Sequence, residues 1–178
     1  MKSLVLTGVL LMGGALMGNA VAADMGAKSG SLEARLQKVE DHIEIERLLM
    51  EYGVALDKRD FAAYSKLFAK TGTWSGSTGT FTGPAEIQAA MEKSFGPTVK
   101  SPMTPGSFHV LTNAIIDIDG DKASALSKWT FIALVEKKPV IAIAGVYQDT
   151  FVRENGKWKF QSRLAPAVTA GAPPPPAK

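Results

Sequence analysis

No cysteine occurs anywhere in the 178 residues, so packing must hold the fold and neither a disulfide framework nor a thiolate metal site is available. Histidine is scarce as well. His42 and His109 are the only two, far apart in the chain, and they make no metal-ligand cluster. Asp117, Asp119 and Asp121 in "DIDGD" lack the spacing of a calcium loop and read as a solvated turn. No glycine-rich phosphate loop follows a strand, which removes the support for a nucleotide. No metal and no cofactor is therefore expected. The pI of about 9.1 and net charge of +3 suggest a basic surface, yet lysine and arginine are scattered, with no basic helix and no patch interleaved with aromatics. Nucleic acid is not an expected partner.

Long apolar runs are missing too, except at the start. "MKSLVLTGVLLMGGALMGNAVAAD" carries Lys2, an apolar run from Leu4 to Met17 broken by glycine, and small residues before a cut after Ala22 or Ala23. The run is short and no second one follows, so stable membrane insertion is not expected. Residues 1–23 read as a signal peptide, and the mature chain is expected to be periplasmic or secreted. Removing Lys2 takes the net charge of +3 down by one.

The segment "DMGAKSG" reads as a joint, after which Ser31 can cap a helix with Glu33 in its first turn. Leu32, Leu36, Val39 and Ile43 follow at heptad spacing, and Ile45, Leu48, Leu49, Tyr52 and Leu56 continue on a shifted face. "DHIE" from Asp41 could open a second helix. Residues 24–41 are thus either a linker and helical arm against a partner subunit, or the start of one long bent helix. Asp60 can cap a short helix, "FAAYSKLFA". "GTWSGSTGTFTG" reads as two short strands around a turn, and Gly83-Pro84 opens a further helix through Ile87, Met91 and Phe95. "GPTVKSPMTPG" is a loop.

From Ser107 the chain reads as four strands in a meander, the last hairpin turned by Asn155-Gly156. A helical half followed by an antiparallel meander indicates an α+β domain over residues 42–165. Residues 166–178, ending "AGAPPPPAK", read as a proline-rich tail.

Two polar residues stand out among apolar neighbours. His109 lies on a strand, "SFHVLTNAIIDI", whose odd positions His109, Leu111 and Ile115 are expected to share one face. An imidazole there is either a satisfied core residue or a base. Asp57 ends the first helix, in "YGVALDKRD". If it meets His109, the carboxylate fixes the ring tautomer and supports the imidazolium. Tyr52, five residues earlier, could border the same cavity and donate to a developing oxyanion. His42, among charged residues, reads as solvated.

Residues 41–164 resemble the SnoaL-like branch of the nuclear transport factor 2-like superfamily. The resemblance rests on "IERLLMEYGVALDKRDFAAYSKLFAKTGTW", "FTGPAEI", "FHVLTN" and "GVYQDTFVRENGKWKFQSR". It implies a cone-like fold, with a curved antiparallel sheet wrapped around N-terminal helices and a deep apolar pocket. Enzymes of this group, among them scytalone dehydratase, a bile-acid dehydratase and a dehydrochlorinase, perform cofactor-free eliminations with an aspartate–histidine pair. By resemblance, Asp57 and His109 are that pair, Tyr52 is a catalytic tyrosine and Arg163 lines the pocket; Arg163, Trp74 and Trp129 are expected to bind substrate. The chain lacks the second strand histidine of scytalone dehydratase, so that enzyme's substrate does not carry over.

The implied function is an exported, cofactor-independent lyase of the dehydratase type, or an isomerase, acting on a small hydrophobic molecule with a hydroxyl or carbonyl. The alternative is a non-catalytic periplasmic carrier of such a ligand. Related domains often pack sheet to sheet, and Val110, Ala142 and Ala144 are apolar outer positions, so a homodimer is expected.

Overall fold

The computed structural model describes residues 30–97 and 107–168. The expected signal peptide, most of the proline-containing loop and the tail beyond Val168 lie outside the described residues. The chain divides into two units, residues 1–37 and residues 38–178.

Helix α1 (Leu32–Asp57) begins in the first unit, where Ser31 Oγ accepts the amide of Ala34 at 3.2 Å. It runs through Asp41 as one helix, so of the two readings the second start at "DHIE" is the one that fails. Asp41 is not a cap. Its carboxylate is buried and accepts from Arg153 Nη2 (2.5 Å) and from Trp158 Nε1 (3.1 Å), so the sheet uses it. Ile45, Leu48, Leu49 and Tyr52 form the buried face of α1, while Val39 and Ile43 stay exposed.

The end of α1 positions the site. The amide of Asp60 reaches the carbonyl of Ala55 and that of Arg59 reaches Leu56, both at 2.9 Å, with Arg59 left-handed at φ 55°. This paired closure is a Schellman motif, in which glycine usually takes the left-handed position. It stops the helix directly after Asp57. Asp60 then caps α2 (Phe61–Ser65) through the amide of Ala63 at 2.9 Å. That helix is shorter than expected because Leu67 already accepts the amide of Phe160 and Phe68 enters the sheet.

The remaining elements are β1 (Phe68–Gly76), β2 (Gly79–Thr82), α3 (Gly83–Phe95), β3 (Ser107–Asp119), β4 (Lys122–Val135), β5 (Lys138–Glu154), β6 (Lys157–Ala165) and β7 (Ala167–Val168). Asn155 and Gly156 both have positive φ, the geometry their hairpin requires. Ala167 and Val168 pair with Gly145 and Ala144, so the sheet resumes after Pro166, inside the segment expected to be a tail.

The strands form one seven-stranded sheet in the order β2-β1-β6-β5-β4-β3, with β7 also on β5. The class is α+β, but the cone-like wrap is corrected. The sheet is neither curved round nor closed, β2 and β3 being its two ends, and it is mixed because β1 runs parallel to β6. Hairpin signals specify only sequence-adjacent pairings. They carry no information about β1, which joins β6 across most of the domain.

Phe61 and Tyr64 of α2, with Ile87 and Met91 of α3, complete a core with Phe151 and Phe160. Each such side chain contributes about 1.5–3 kcal/mol on burial. Two bulges decide which side chains join it. An extra residue between Thr112 and Ile115, where Asn113 has φ 55°, reverses the phase of β3. His109 and Leu111 therefore face the core side together with Ala114 and Ile116, whereas Ile115, expected to share the histidine's face, is 65% exposed. In β6 Phe151 opposes Phe160 and Thr150 opposes Ser162, so Gln161 is the extra residue. That shift puts Arg163 on the buried face with Trp158 and Phe160.

Candidate active site

Within the second unit, a cavity of about 450 Å³ lies among α1, α2, α3 and the sheet. Tyr52, Asp57, Trp74, His109 and Trp129 all line it, together with Leu56, Met91, Phe131 and Ile143. Its size suits a small organic molecule, and its walls are mainly apolar and aromatic.

Asp57 and His109 meet in this cavity. His109 Nδ1 is 2.6 Å from Asp57 Oδ1, and the backbone amide of His109 donates to Oδ1 and Oδ2 at 3.1 and 3.0 Å. One carboxylate thus holds both the ring and the main chain of the same residue. With Nδ1–H donating to Asp57, Nε2 keeps its lone pair. The aspartate side chain is 6% exposed and the histidine 17%, enough access for a ligand. Phe131, the cross-strand neighbour of His109, packs beside the imidazole with ring centroids 4.8 Å apart.

The hydroxyl of Tyr52 accepts from Tyr64 Oη at 2.7 Å and from Trp74 Nε1 at 3.1 Å. Both donors belong to other elements, so three segments fix one phenol. With two bonds accepted, its own proton remains for a further acceptor, and accepted bonds strengthen that donation. Trp74 thus lines the cavity while its N–H is committed to Tyr52. Trp129 stacks on Tyr147 at 5.4 Å, and its Nε1 is buried without a partner among the described residues. Gly145 makes room for that indole, since a Cβ there would lie 2.6 Å from Nε1.

Arg163 is placed differently from the other expected site residues. It is not among the cavity-lining residues and does not touch Asp57. Its guanidinium donates to both oxygens of Asp149 at 2.7 Å, with both side chains fully buried. It stacks on the rings of Tyr52 (3.8 Å) and Tyr147 (4.0 Å), which are themselves cavity walls. Burial works to discharge the guanidinium, and the Asp149 carboxylate more than offsets this, holding it above its ordinary range. Burial, reinforced by Tyr52, pushes the phenols of Tyr64 and Tyr147 up.

Tyr64, Tyr147, Asp149 and Arg59 were not singled out from the sequence. The signal for two of them was present. In "VYQDTF", Tyr147, Asp149 and Phe151 alternate onto one face, and an aspartate on an apolar strand face demands a buried partner. His42 sits half-exposed near Glu46, away from the cavity. Among the described residues no group of three or more His, Asp or Glu side chains could hold a metal ion. No described helix is long and apolar enough to cross a membrane.

Comparison with known proteins agrees with this geometry at the level of family. The family model for the SnoaL-like domain matches residues 37–164, and the chain belongs to that family, within the nuclear transport factor 2-like superfamily. The chain is 27% identical over 133 residues to the gamma-hexachlorocyclohexane dehydrochlorinase of Sphingobium indicum, covering 73% of this chain and 82% of that protein. A crystal structure of LinA superposes with a TM-score of 0.62 at 26% identity, covering 79% of this chain and 99% of that one. A nuclear transport factor 2-like protein with a cystatin-like fold from Novosphingobium aromaticivorans superposes with a TM-score of 0.71 at 28% identity, over 83% and 95% of the two chains. The family therefore includes lyases.

Proposed function

We propose that the protein is a cofactor-independent lyase of the dehydratase type, or an isomerase, for a small hydrophobic molecule carrying a hydroxyl or carbonyl. One observation carries the reading: Asp57 binds ring and backbone of His109 at the wall of an apolar cavity. In this mechanism His109 Nε2 takes a proton from a carbon next to the one bearing the leaving oxygen. The C–H electron pair forms the double bond, the C–O bond breaks, and Tyr52 donates to the departing oxygen. Asp57 supports the imidazolium, which returns its proton to the leaving hydroxide as water. For isomerisation the same proton goes back to a different carbon.

The dehydrochlorinase relative supports elimination chemistry at such a site, and in that case the leaving group is chloride. The test is incubation of the purified protein with a small-molecule extract of its host, read by liquid chromatography with mass spectrometry against Asp57→Asn. A compound that loses the mass of water, or isomerises, with wild type alone supports the lyase or isomerase. Ligand retained and released unchanged by both proteins supports a carrier instead. Gamma-hexachlorocyclohexane, with chloride release as readout, is a second probe.

We also propose that the mature chain is exported and dimeric. N-terminal sequencing of native protein and light scattering decide these points, and an intact Met1 or a monomer mass would count against them.

A further inference from the structure

Arg59 is the cavity residue that the reaction above leaves unused. It lines the cavity, and its Nε is buried with no hydrogen-bond partner among the described residues. The nearest acids in sequence are both occupied, Asp57 by His109 and Asp60 by the cap of α2. Residues 98–106, "TVKSPMTPG", contain no acidic side chain that could serve instead. The backbone also accommodates this arginine where glycine is usual, at the left-handed closing residue of α1. Gly96, itself at φ 85°, leaves space for the head group, because a Cβ there would lie 2.6 Å from Arg59 Nη2.

A guanidinium presents a planar fork of donors that matches a carboxylate in two parallel bonds. We propose that Arg59 anchors a carboxylate on the ligand, so that the cavity prefers an apolar organic acid over its neutral counterpart. The aromatic walls hold the apolar body, and the fixed charge sets which end of the ligand lies at Arg59. The inference rests on the cavity being the ligand site, as proposed above, but it does not depend on turnover.

Benzoate and its neutral counterpart benzamide are the probes, titrated into the purified protein and followed by the fluorescence of Trp74 and Trp129. Wild type is expected to prefer benzoate by about ten- to hundredfold, the worth of a charge-assisted hydrogen bond. Arg59→Gln and Arg59→Gly should both lose that preference, with benzoate binding weakened more than benzamide binding. The glycine variant suits the left-handed position, so strain in the backbone closing α1 does not account for its loss. Equal affinity for the two probes in wild type, no benzoate binding at millimolar concentration, or a preference that survives in both variants overturns the proposal. Asp57→Asn should keep the preference, so failure of the lyase reading alone leaves this one standing.

Discussion

The carboxylate of Asp57 grips His109 twice, at ring Nδ1 (2.6 Å) and at the backbone amide (3.0 and 3.1 Å). The two residues are 52 positions apart, yet the bond fixes both the tautomer and the position of the strand beneath it. Asp57→Asn keeps the volume and one acceptor oxygen but removes the charge that supports an imidazolium. Once a substrate is in hand, kcat should fall by roughly 10²- to 10⁴-fold with KM little changed. Steady-state kinetics check this. Equal activity in the two proteins would make the pair structural.

Tyr52 offers a second test, because its hydroxyl is both a proposed donor to substrate and an acceptor for two neighbours. Tyr52→Phe strands Tyr64 Oη and Trp74 Nε1, each a buried or half-buried donor. Leaving them unsatisfied should cost about 1–3 kcal/mol, read as a lower urea midpoint. Loss of an oxyanion donor should reduce kcat by roughly 10²- to 10³-fold. Tyr64→Phe retains the Tyr52 hydroxyl and should lose less activity. A Tyr52→Phe protein with wild-type kcat would place the phenol in the frame and not in the reaction.

Much of this was legible in the sequence, for physical reasons that also mark the limit. Asp60 as a cap, Pro84 in a first helical turn and Asn155-Gly156 as a hairpin are local chemistry, and each stands where expected. The α+β class follows from them. Non-local features were hidden. Nothing in the strand patterns shows that β1 lies parallel to β6, so they indicate only an antiparallel meander, and the cone-like wrap came from the resemblance alone. Bulges are equally silent, since one extra residue reverses a period-two pattern without a fixed sequence mark. Hence Ile115 was assigned to the wrong face, and alternation along β6 alone would have sent Arg163 outward. The resemblance drew attention to Arg163. That Asp149 is its partner emerges only from the fold.

That buried pair is the third test. Arg163 and Asp149 are both fully buried, so solvent screens little of their interaction. Asp149→Ala leaves an uncompensated guanidinium under Tyr52 and Tyr147 and should cost about 3–5 kcal/mol, with lower activity following from the displaced rings. The double variant Asp149→Leu with Arg163→Met should recover most of that stability, because it removes both charges together. Chemical denaturation of wild type, Asp149→Leu, Arg163→Met and the double variant completes the cycle. A single variant as stable as wild type would show that the pair holds nothing together.

The last prediction concerns alkaline pH and follows from the phenols of Tyr64 and Tyr147. Burial and the neighbouring Tyr52 push both up from the ordinary value of 10.0. Below about pH 10 both phenols are protonated whether the chain is folded or not, and their contribution to stability is fully present. Above it the unfolded chain gives up protons that the folded chain keeps. Stability should therefore fall as pH rises past 10 towards the folded-state values. Below pH 10 these groups should produce no change. Melting temperature against pH gives the slope, and tyrosinate absorbance followed beside far-ultraviolet circular dichroism identifies its source. The signals of Tyr64 and Tyr147 should emerge together with loss of secondary structure. Tyr147→Phe, which removes one of the two raised groups, should flatten the alkaline slope. Titration of Tyr64 and Tyr147 near pH 10 with an unchanged dichroism spectrum would show that these two phenols are open to solvent, against their packing on the Tyr52 ring.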